Sequence, residues 1–214
     1  MMYSALQART EAQHLSIFGA FHPKPQDNAP EGAKTLVLLG PHEPGFWAEF
    51  SRSGEALDRR PDPMDRWSKR IICALAGDFG GTAVFPFGGP PYQPFIAWAE
   101  ASGRAWVSPV GLLVHDHAGL FVSYRGAIAL PSRIDLPEAS QHPCKTCVAR
   151  PCLTACPVDA LGAEQYDVAA CRVDLERAGN TCMERGCAAR RACPVSQNYG
   201  RVTAQSAFHM SAFK

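Results

Sequence analysis

Cysteine is the residue type that carries the most chemical information in this chain. Eight of its nine cysteines lie between residues 144 and 193, and they form two groups that each end in Cys-Pro. In chain order the cysteines are Cys144, Cys147, Cys152 and Cys156-Pro157, followed by Cys171, Cys182, Cys187 and Cys193-Pro194. Eight thiolates are the ligands that two [4Fe–4S] clusters require, four for each cluster. The pattern therefore predicts two clusters and a role in electron transfer.

The spacing of these cysteines has a physical reason. Two residues between Cys144 and Cys147 allow a tight turn to bring both sulfurs to adjacent irons. Proline after the last cysteine of each group fixes φ and removes a backbone donor, so the chain turns away from the cluster. Where one chain holds two clusters, the cysteine before proline ligates the other cluster, and the two groups are expected to interlock.

Disulfides and zinc sites also use closely spaced cysteines. A disulfide framework requires an oxidising compartment, and residues 1–9 lack the apolar segment of a secretory signal. Zinc sites with four cysteine ligands also use closely spaced pairs, but zinc gives no reason for two Cys-Pro endings or eight ligands. Iron–sulfur clusters are favoured on these grounds. Cys73 stands apart in an apolar segment and is predicted to be a buried structural thiol.

Length and charge bound the remaining possibilities. About 140 of the 214 residues precede Cys144, enough for a domain with its own core. The formal net charge is +1, which gives no indication of nucleic acid or an anionic membrane as a partner. No apolar segment approaches the roughly 20 residues of a membrane-spanning helix. These features predict a cytoplasmic protein without a membrane anchor.

Hydrophobic patterning predicts helices and strands in alternation before Cys144. A fully apolar run at 35–39 indicates a buried strand. Asp62 is predicted to be the N-cap of a helix that starts at Pro63 and runs to Ala76 with one apolar face. Strands at 110–115 and 120–130, joined by 116–119, are predicted to form a hairpin. The other predicted elements are helices at 2–14, 46–50 and 95–101, strands at 15–21 and 82–87, and a loop at 23–32.

These elements predict an α+β fold with two domains, residues 1–138 as a sheet domain with helices and residues 139–214 as a small two-cluster domain. The segment 105–131, especially Gly111 to His115 and Phe121 to Pro131, resembles the cobalamin-processing chaperones of the CblC type. The strand at 35–39 with Phe46 and Phe50 is also similar to that family.

The cysteine region instead resembles epoxyqueuosine reductases and reductive dehalogenases, which hold two [4Fe–4S] clusters beneath a corrinoid. Residues 166–171, which end at Cys171, match well the segment that leads to the single separate cysteine in those families. Together the resemblances imply a nitroreductase-like, corrinoid-binding first domain and a ferredoxin-like second domain. They also imply the ligand sets Cys144, Cys147, Cys152 and Cys193 for one cluster, and Cys156, Cys171, Cys182 and Cys187 for the other. The long insertion of epoxyqueuosine reductases, their catalytic acid and most of their substrate domain are missing from this sequence.

The candidate corrinoid contacts are Gly88, Gly89, Tyr92 and Arg125. Glycines permit close backbone approach to a flat macrocycle and an aromatic ring can stack on it, but an ordinary loop after a strand also explains residues 86–92. Arg125 matches a chaperone arginine that contacts glutathione, and its alternative is a solvated charge on a strand. His115 and His117 are explained by a turn. Five arginines near the ligands could raise cluster potentials or dock an acidic electron donor: Arg150, Arg172, Arg185, Arg190 and Arg191. Solvated surface charge is the alternative for all five.

Taken together, the sequence predicts a redox protein that binds cobalamin and delivers electrons to its cobalt through two [4Fe–4S] clusters. The expected partners are an electron-donor protein, such as a flavodoxin- or ferredoxin-type reductase, and cobalamin or a cobalamin-dependent enzyme. Two alternatives stay open. One is a ferredoxin-like carrier without a corrinoid, and the other is a small enzyme related to epoxyqueuosine reductase or the dehalogenases.

Overall fold

The structure is a computed structural model that describes residues 2–213. It is a mixed fold of helices and short strands, which confirms the predicted α+β class. The strands are β1 Leu15–Phe21, β2 Thr35–Pro41, β3 Thr82–Val84, β4 Ala105–Val107, β5 Leu113–His115 and β6 Gly126–Leu130. The helices are α1 Met2–Glu11, α2 Gly45–Ser51, α3 Gly54–Leu57, α4 Pro63–Asp78, α5 Phe95–Ala101, α6 Val168–Leu175, α7 Cys182–Arg185, α8 Ala188–Ala192, α9 Pro194–Asn198 and α10 Thr203–Phe213. Within the described residues, no helix has the length and apolar character needed to cross a membrane.

The chain divides into two compact units, and neither is continuous in sequence. The first unit comprises the described residues up to Arg104 together with Ser123–Ser140. The second unit comprises Ala105–Val122 together with the described residues from Gln141 onward. The predicted boundary after residue 138 is a single cut along the chain, whereas the structure groups residues 105–122 with the cysteine-rich region.

A four-stranded antiparallel sheet organises the first unit, with the order β1-β2-β6-β3. All seven residues of β2 are buried, as its continuous apolar sequence predicts for a central strand. Its neighbour β6 is buried at all five positions and pairs with β2 from Thr35 opposite Leu130 to Leu39 opposite Gly126. The two central strands therefore lie in the core of this unit.

Helix α4 packs one apolar face into the first unit, with Met64, Trp67, Ile72 and Leu75 buried. Asp62 occupies the predicted N-cap position and Pro63 begins the helix, but Asp62 has a left-handed backbone and its side chain makes no capping hydrogen bond. The prediction for Cys73 is wrong, since its thiol is exposed. A step of about 100° per residue carries the position after buried Ile72 out of the apolar face.

The predicted hairpin over residues 110–130 is not present. Strand β5 pairs with β4 in a two-stranded sheet of the second unit, whereas β6 pairs with β2 and β3 in the first unit. Only a single bridge, between His115 and Gly119, joins the two sides of the expected turn. His115 is buried, and its Nδ1 accepts hydrogen bonds from the backbone N–H groups of His117 and Ala118. These bonds are consistent with the turn interpretation of the two histidines.

Gly119 fixes this turn against α9 in the second unit. Its φ is +57°, and an added Cβ would collide with the backbone nitrogen and hydroxyl of Ser196. The next residue, Leu120, donates its N–H to Ser196 Oγ at 2.8 Å. The turn therefore lies directly against the helix that follows Cys193.

Gly119→Ala should lower the free energy of unfolding by about 2 kcal/mol, because strain at positive φ adds to the collision with Ser196. Anaerobic urea denaturation measures this loss. Gly179→Ala is the matched control, since Gly179 has φ +86° but no atom within 4 Å of an added Cβ. The control should lose only about 1 kcal/mol. Equal losses in both variants would contradict the packing argument.

Candidate metal centre

Four cysteines line a single cavity of about 340 Å³ in the second unit. They are Cys144, Cys147, Cys152 and Cys193. The rest of the lining is largely apolar and includes Val114, Leu120 and Val195, which pack in one core cluster with Cys144, Cys152 and Cys193. Cysteines from both Cys-Pro groups therefore face one apolar cavity.

Two short 3₁₀ turns position the first group. Cys144 lies in the turn Pro143–Lys145, where the His142 ring accepts the N–H of Cys144 at 3.2 Å. The same ring stacks on Trp106, with centroids 5.1 Å apart. Cys152 lies in the turn Pro151–Leu153, which begins after a left-handed residue, Arg150. Proline at the start of each turn presets φ, so these residues hold two thiols in place without a long helix.

The thiols of this set influence one another. Burial, followed by the charges of Cys193, Cys152 and Cys147, raises the pKa of Cys144 to about 11, while Arg150 opposes the shift. Burial also raises the pKa of Cys152, and the charges of Cys193 and Cys147 act in the same direction. Several thiolates in one apolar cavity repel each other unless a cationic group lies between them, and a metal cluster supplies such a group.

The other four cysteines lie at the ends of short helices or beside them. Cys171 is in α6, whose N-cap Asp167 accepts the N–H of Ala170 at 2.8 Å. Cys182 begins α7 and donates its N–H to Asn180 Oδ1 at 2.7 Å. Cys187 is the N-cap of α8. Cys156 accepts the N–H of Ala160 on its sulfur at 3.4 Å.

Cys171 interacts electrostatically with the other three thiols, and we treat these four cysteines as a second set. Burial raises the pKa of Cys171 and a hydrogen bond from Tyr166 lowers it, while the charges of Cys187, Cys156 and Cys182 raise it again. Tyr166 Oη donates to Cys171 Sγ at 3.3 Å. Burial, followed by this contact with Cys171, raises the pKa of Tyr166, so the hydroxyl keeps its proton and remains a donor.

The two sets cross the sequence groups. Cys193 ends the second sequence group but lies with Cys144, whereas Cys156 ends the first group but acts on Cys171. The family resemblance implies the same division of the ligands, and that division stays a prediction. Each set offers four thiolates, which is the ligand number of a [4Fe–4S] cluster, so the residues fit two such clusters. That they hold clusters stays a prediction.

The arginines near the ligands differ in what they contact. Arg190 is partly buried, donates to Leu120 O at 2.6 Å and interacts electrostatically with Cys187. Burial lowers the pKa of Arg190 and the charge of Cys187 raises it. Arg191 donates to Gly186 O at 2.9 Å. Arg150, Arg172 and Arg185 are exposed, which agrees with the alternative of solvated surface charge.

Arg125 is buried in the first unit, so the alternative of a solvated strand charge is wrong. Its Nε donates to Ser68 Oγ at 3.0 Å and its Nη2 pairs with Asp65. Burial lowers the pKa of Arg125, and the charge and hydrogen bond of Asp65 raise it. The guanidinium also lies 5.8 Å from the ring centroid of Phe87, in the loop that contains the two candidate glycines.

The other candidate corrinoid contacts lie in this loop after β3. Gly88 has φ +83° and open space around the position of an added Cβ, and Tyr92 is 66% exposed. The structure thus brings Arg125 next to Phe87, one residue from Gly88, and leaves Tyr92 on the surface. A role for Gly88, Gly89, Tyr92 or Arg125 in corrinoid binding stays a prediction.

Asp65→Asn should lower the free energy of unfolding by about 2 kcal/mol, because Arg125 would stay buried without its counter-charge. The loss is smaller than for a fully buried pair, since the Asp65 side chain is one-third exposed. Urea denaturation measures it. Asp78→Asn is the matched control, because it breaks an exposed pair with Arg9 at 3.0 Å and should cost at most about 0.5 kcal/mol. A control loss as large as that of Asp65→Asn would contradict this account.

Two hydroxyls at the site were not predicted from the sequence. Tyr166 lies one residue before the Asp167 cap, and only its packing shows that its hydroxyl reaches Cys171. Ser108 is 3% exposed and lines the cavity of the first set. Ser108 lies 16 residues after Tyr92 and 17 residues before Arg125, the nearest predicted contacts, so its position in the sequence gives no signal. Spatial proximity alone reveals both residues.

Comparison with known proteins gives no match: no family model, curated protein or solved structure is similar to this chain. A search of residues 2–213 for three or more Cys, His, Asp or Glu side chains placed to hold a metal ion also finds none. The functional interpretation therefore depends on the cysteine pattern, the family resemblance and the geometry described above.

Proposed function

We propose that this chain is an iron–sulfur redox protein that holds two [4Fe–4S] clusters and delivers electrons through them to the cobalt of a bound corrinoid. The observation that carries this proposal is the sorting of eight cysteines into two interlocked sets of four. Cys144, Cys147, Cys152 and Cys193 face one cavity, and Cys171 interacts with Cys156, Cys182 and Cys187.

The second unit contributes the environment of the clusters. Its thiolates supply the ligands, and the apolar cavity wall around Val114 and Leu120 excludes water from one set. Tyr166 donates a hydrogen bond to a ligand sulfur of the other set. Bound [4Fe–4S] clusters pass single electrons, and their potentials depend on such hydrogen bonds and on solvent exposure.

The first unit is proposed to be nitroreductase-like and to bind the corrinoid, with the second unit ferredoxin-like. The support from the first unit is the resemblance to the CblC-type chaperones of residues 123–131 and of the strand at 35–39 with Phe46 and Phe50; residues 105–122 of the same resemblance lie in the second unit. The cysteine pattern of corrinoid-dependent reductases adds to this support. Reduction of cobalt to cob(I)alamin requires a strong reductant, and the wide potential range of iron–sulfur clusters extends low enough. The physiological role would be cobalamin reduction, processing or reactivation.

A ferredoxin-like carrier without a corrinoid is the second candidate, and one observation favours it. The guanidinium of Arg125 is already bound to Asp65 and Ser68, so it is occupied by contacts within the protein. The two cysteine sets alone are sufficient for an electron carrier.

Titration of the anaerobic protein with cob(II)alamin distinguishes the candidates. The corrinoid reductase should shift the corrin absorption bands on binding, and chemical reduction of the clusters should then produce the cob(I)alamin spectrum. A variant in which a cluster ligand is lost, Cys144→Ser, should still bind the corrinoid but reduce it more slowly. Unchanged bands at every concentration would contradict the corrinoid proposal and support the carrier. Turnover of an organic substrate with catalytic corrinoid would instead indicate the epoxyqueuosine reductase-like or dehalogenase-like enzyme.

A further inference from the structure

A hydroxyl group without a strong competing role lies beside each cysteine set, since Thr146, which also lines the cavity, donates its hydroxyl to Pro143 O. For the set around Cys171 this group is Tyr166 Oη, which donates to Cys171 Sγ at 3.3 Å. The phenol ring is held by packing, because it stacks on Phe213 at 6.0 Å with an interplanar angle of 11°. The backbone of Tyr166 is also held, through a bridge to Leu161. The donor is therefore oriented before any metal group is bound.

For the set around Cys144 the hydroxyl is that of Ser108. This side chain is 97% buried and lines the cavity that Cys144 and Cys193 also line. Its Oγ makes no hydrogen bond to any of the described residues. A buried hydroxyl without a partner has lost the hydrogen bonds that it makes in water, and a ligand in the cavity would restore one.

The backbone of Ser108 is held in a turn. Residues 108–112 form the turn that joins β4 to β5, with Ser108 N–H donating to Leu112 O at 2.8 Å and Gly111 N–H donating to Ser108 O at 3.0 Å. The turn thus holds the backbone of Ser108 at the wall of the cavity that the cysteines line.

A hydrogen bond to a cluster sulfur raises the potential of that cluster. The reduced form carries one more negative charge than the oxidised form, and a donor stabilises the more negative form to a greater extent. The same donor has little effect on a cluster that it does not touch, since hydrogen bonding falls off steeply with distance.

We propose that Tyr166 and Ser108 are positioning residues that set the potentials of the two clusters separately, each hydroxyl donating to sulfur of one cluster. This inference rests on the proposed function, because it requires that both cysteine sets hold [4Fe–4S] clusters. Tyr166 acts on the cluster of Cys156, Cys171, Cys182 and Cys187. Ser108 acts on the cluster of Cys144, Cys147, Cys152 and Cys193.

Anaerobic redox titration of the whole protein, followed by electron paramagnetic resonance, tests this inference. Titanium(III) citrate supplies the electrons, and each cluster takes up one. The signal that survives in Cys144→Ser identifies the cluster near Tyr166. In Tyr166→Phe, the ratio of reduced to oxidised form of that cluster at a fixed potential should fall about tenfold, which is 59 mV for a one-electron couple. In Ser108→Ala, only the other cluster should show a fall of this size.

Tyr92→Phe is the control, because it removes an exposed phenol hydroxyl from the other unit and should move neither potential. If Tyr166→Phe does not fold, Phe213→Ala replaces it, since loss of the stacked ring frees the phenol and should lower the same potential. The inference is overturned if either variant leaves its own cluster unchanged or shifts both clusters. Clusters that are present with unmoved potentials would overturn this inference alone, whereas protein without iron and sulfide would overturn the proposed function as well.

Discussion

Cys144→Ser and Cys193→Ser should each remove the same cluster, although the two residues belong to different sequence groups. The reason is that their thiols lie in one cavity, where the charge of Cys193 helps to raise the pKa of Cys144. Serine oxygen is a poor ligand for these irons, so bound iron should fall from about eight to about four atoms per chain. Both variants should lose the same component of the paramagnetic spectrum after reduction.

Cys171→Ser should remove the other component, because its thiol interacts with Cys156, Cys182 and Cys187. Cys73→Ser is the matched control, since this exposed thiol on α4 belongs to neither set and its loss should leave both components intact. The interlocked assignment fails if Cys193→Ser removes the same component as Cys171→Ser. It also fails if Cys144→Ser or Cys193→Ser alone removes both components of the spectrum.

Removal of both clusters should unfold much of the second unit and spare the sheet of the first. The helices that carry or follow the ligands are short: α7 has four residues and α9 has five. Isolated helices of fewer than about 12 residues are marginal in water. The stability of α7 and α9 is therefore expected to depend on the clusters bound by the ligands beside them. Binding of a metal group then supplies folding free energy directly.

Hydrogen–deuterium exchange measures this effect. After anaerobic chelation of the iron, amides in α7, α8 and α9 should exchange roughly 100-fold faster or more. Amides of β2 in the first unit are the internal control and should change little, because that strand is buried at every residue within its own sheet. Unchanged exchange in the short helices would show that they fold without a metal group. Faster exchange in β2 to the same extent would show that the protein unfolds as one cooperative unit.

Much of the first unit could be predicted from local sequence. Strand β1 and helix α5 have the predicted bounds, and β2 extends the predicted run by two residues. These segments succeed because apolar patterning and flanking proline or glycine act over a few residues. The hairpin over 110–130 failed for the opposite reason. Pattern alone cannot show that β5 and β6 join different sheets, since partner choice is set by tertiary packing.

The candidate site shows the same division between local and long-range information. Spacing predicts eight ligands, because the turn around each cysteine is local. It does not predict that Ser108 lines the cavity or that Tyr166 reaches Cys171, since both contacts depend on the folded arrangement of the second unit. Cys73 shows how an apolar neighbourhood misleads, because Ile72 is buried and the next residue on the helix is not.

Anaerobic analysis of iron and acid-labile sulfide in the purified chain tests the central claim most directly. Two [4Fe–4S] clusters predict about eight iron and about eight sulfide atoms per chain, with no stoichiometric zinc. Zinc in place of iron, or iron without sulfide, would contradict the claim that the two cysteine sets hold clusters.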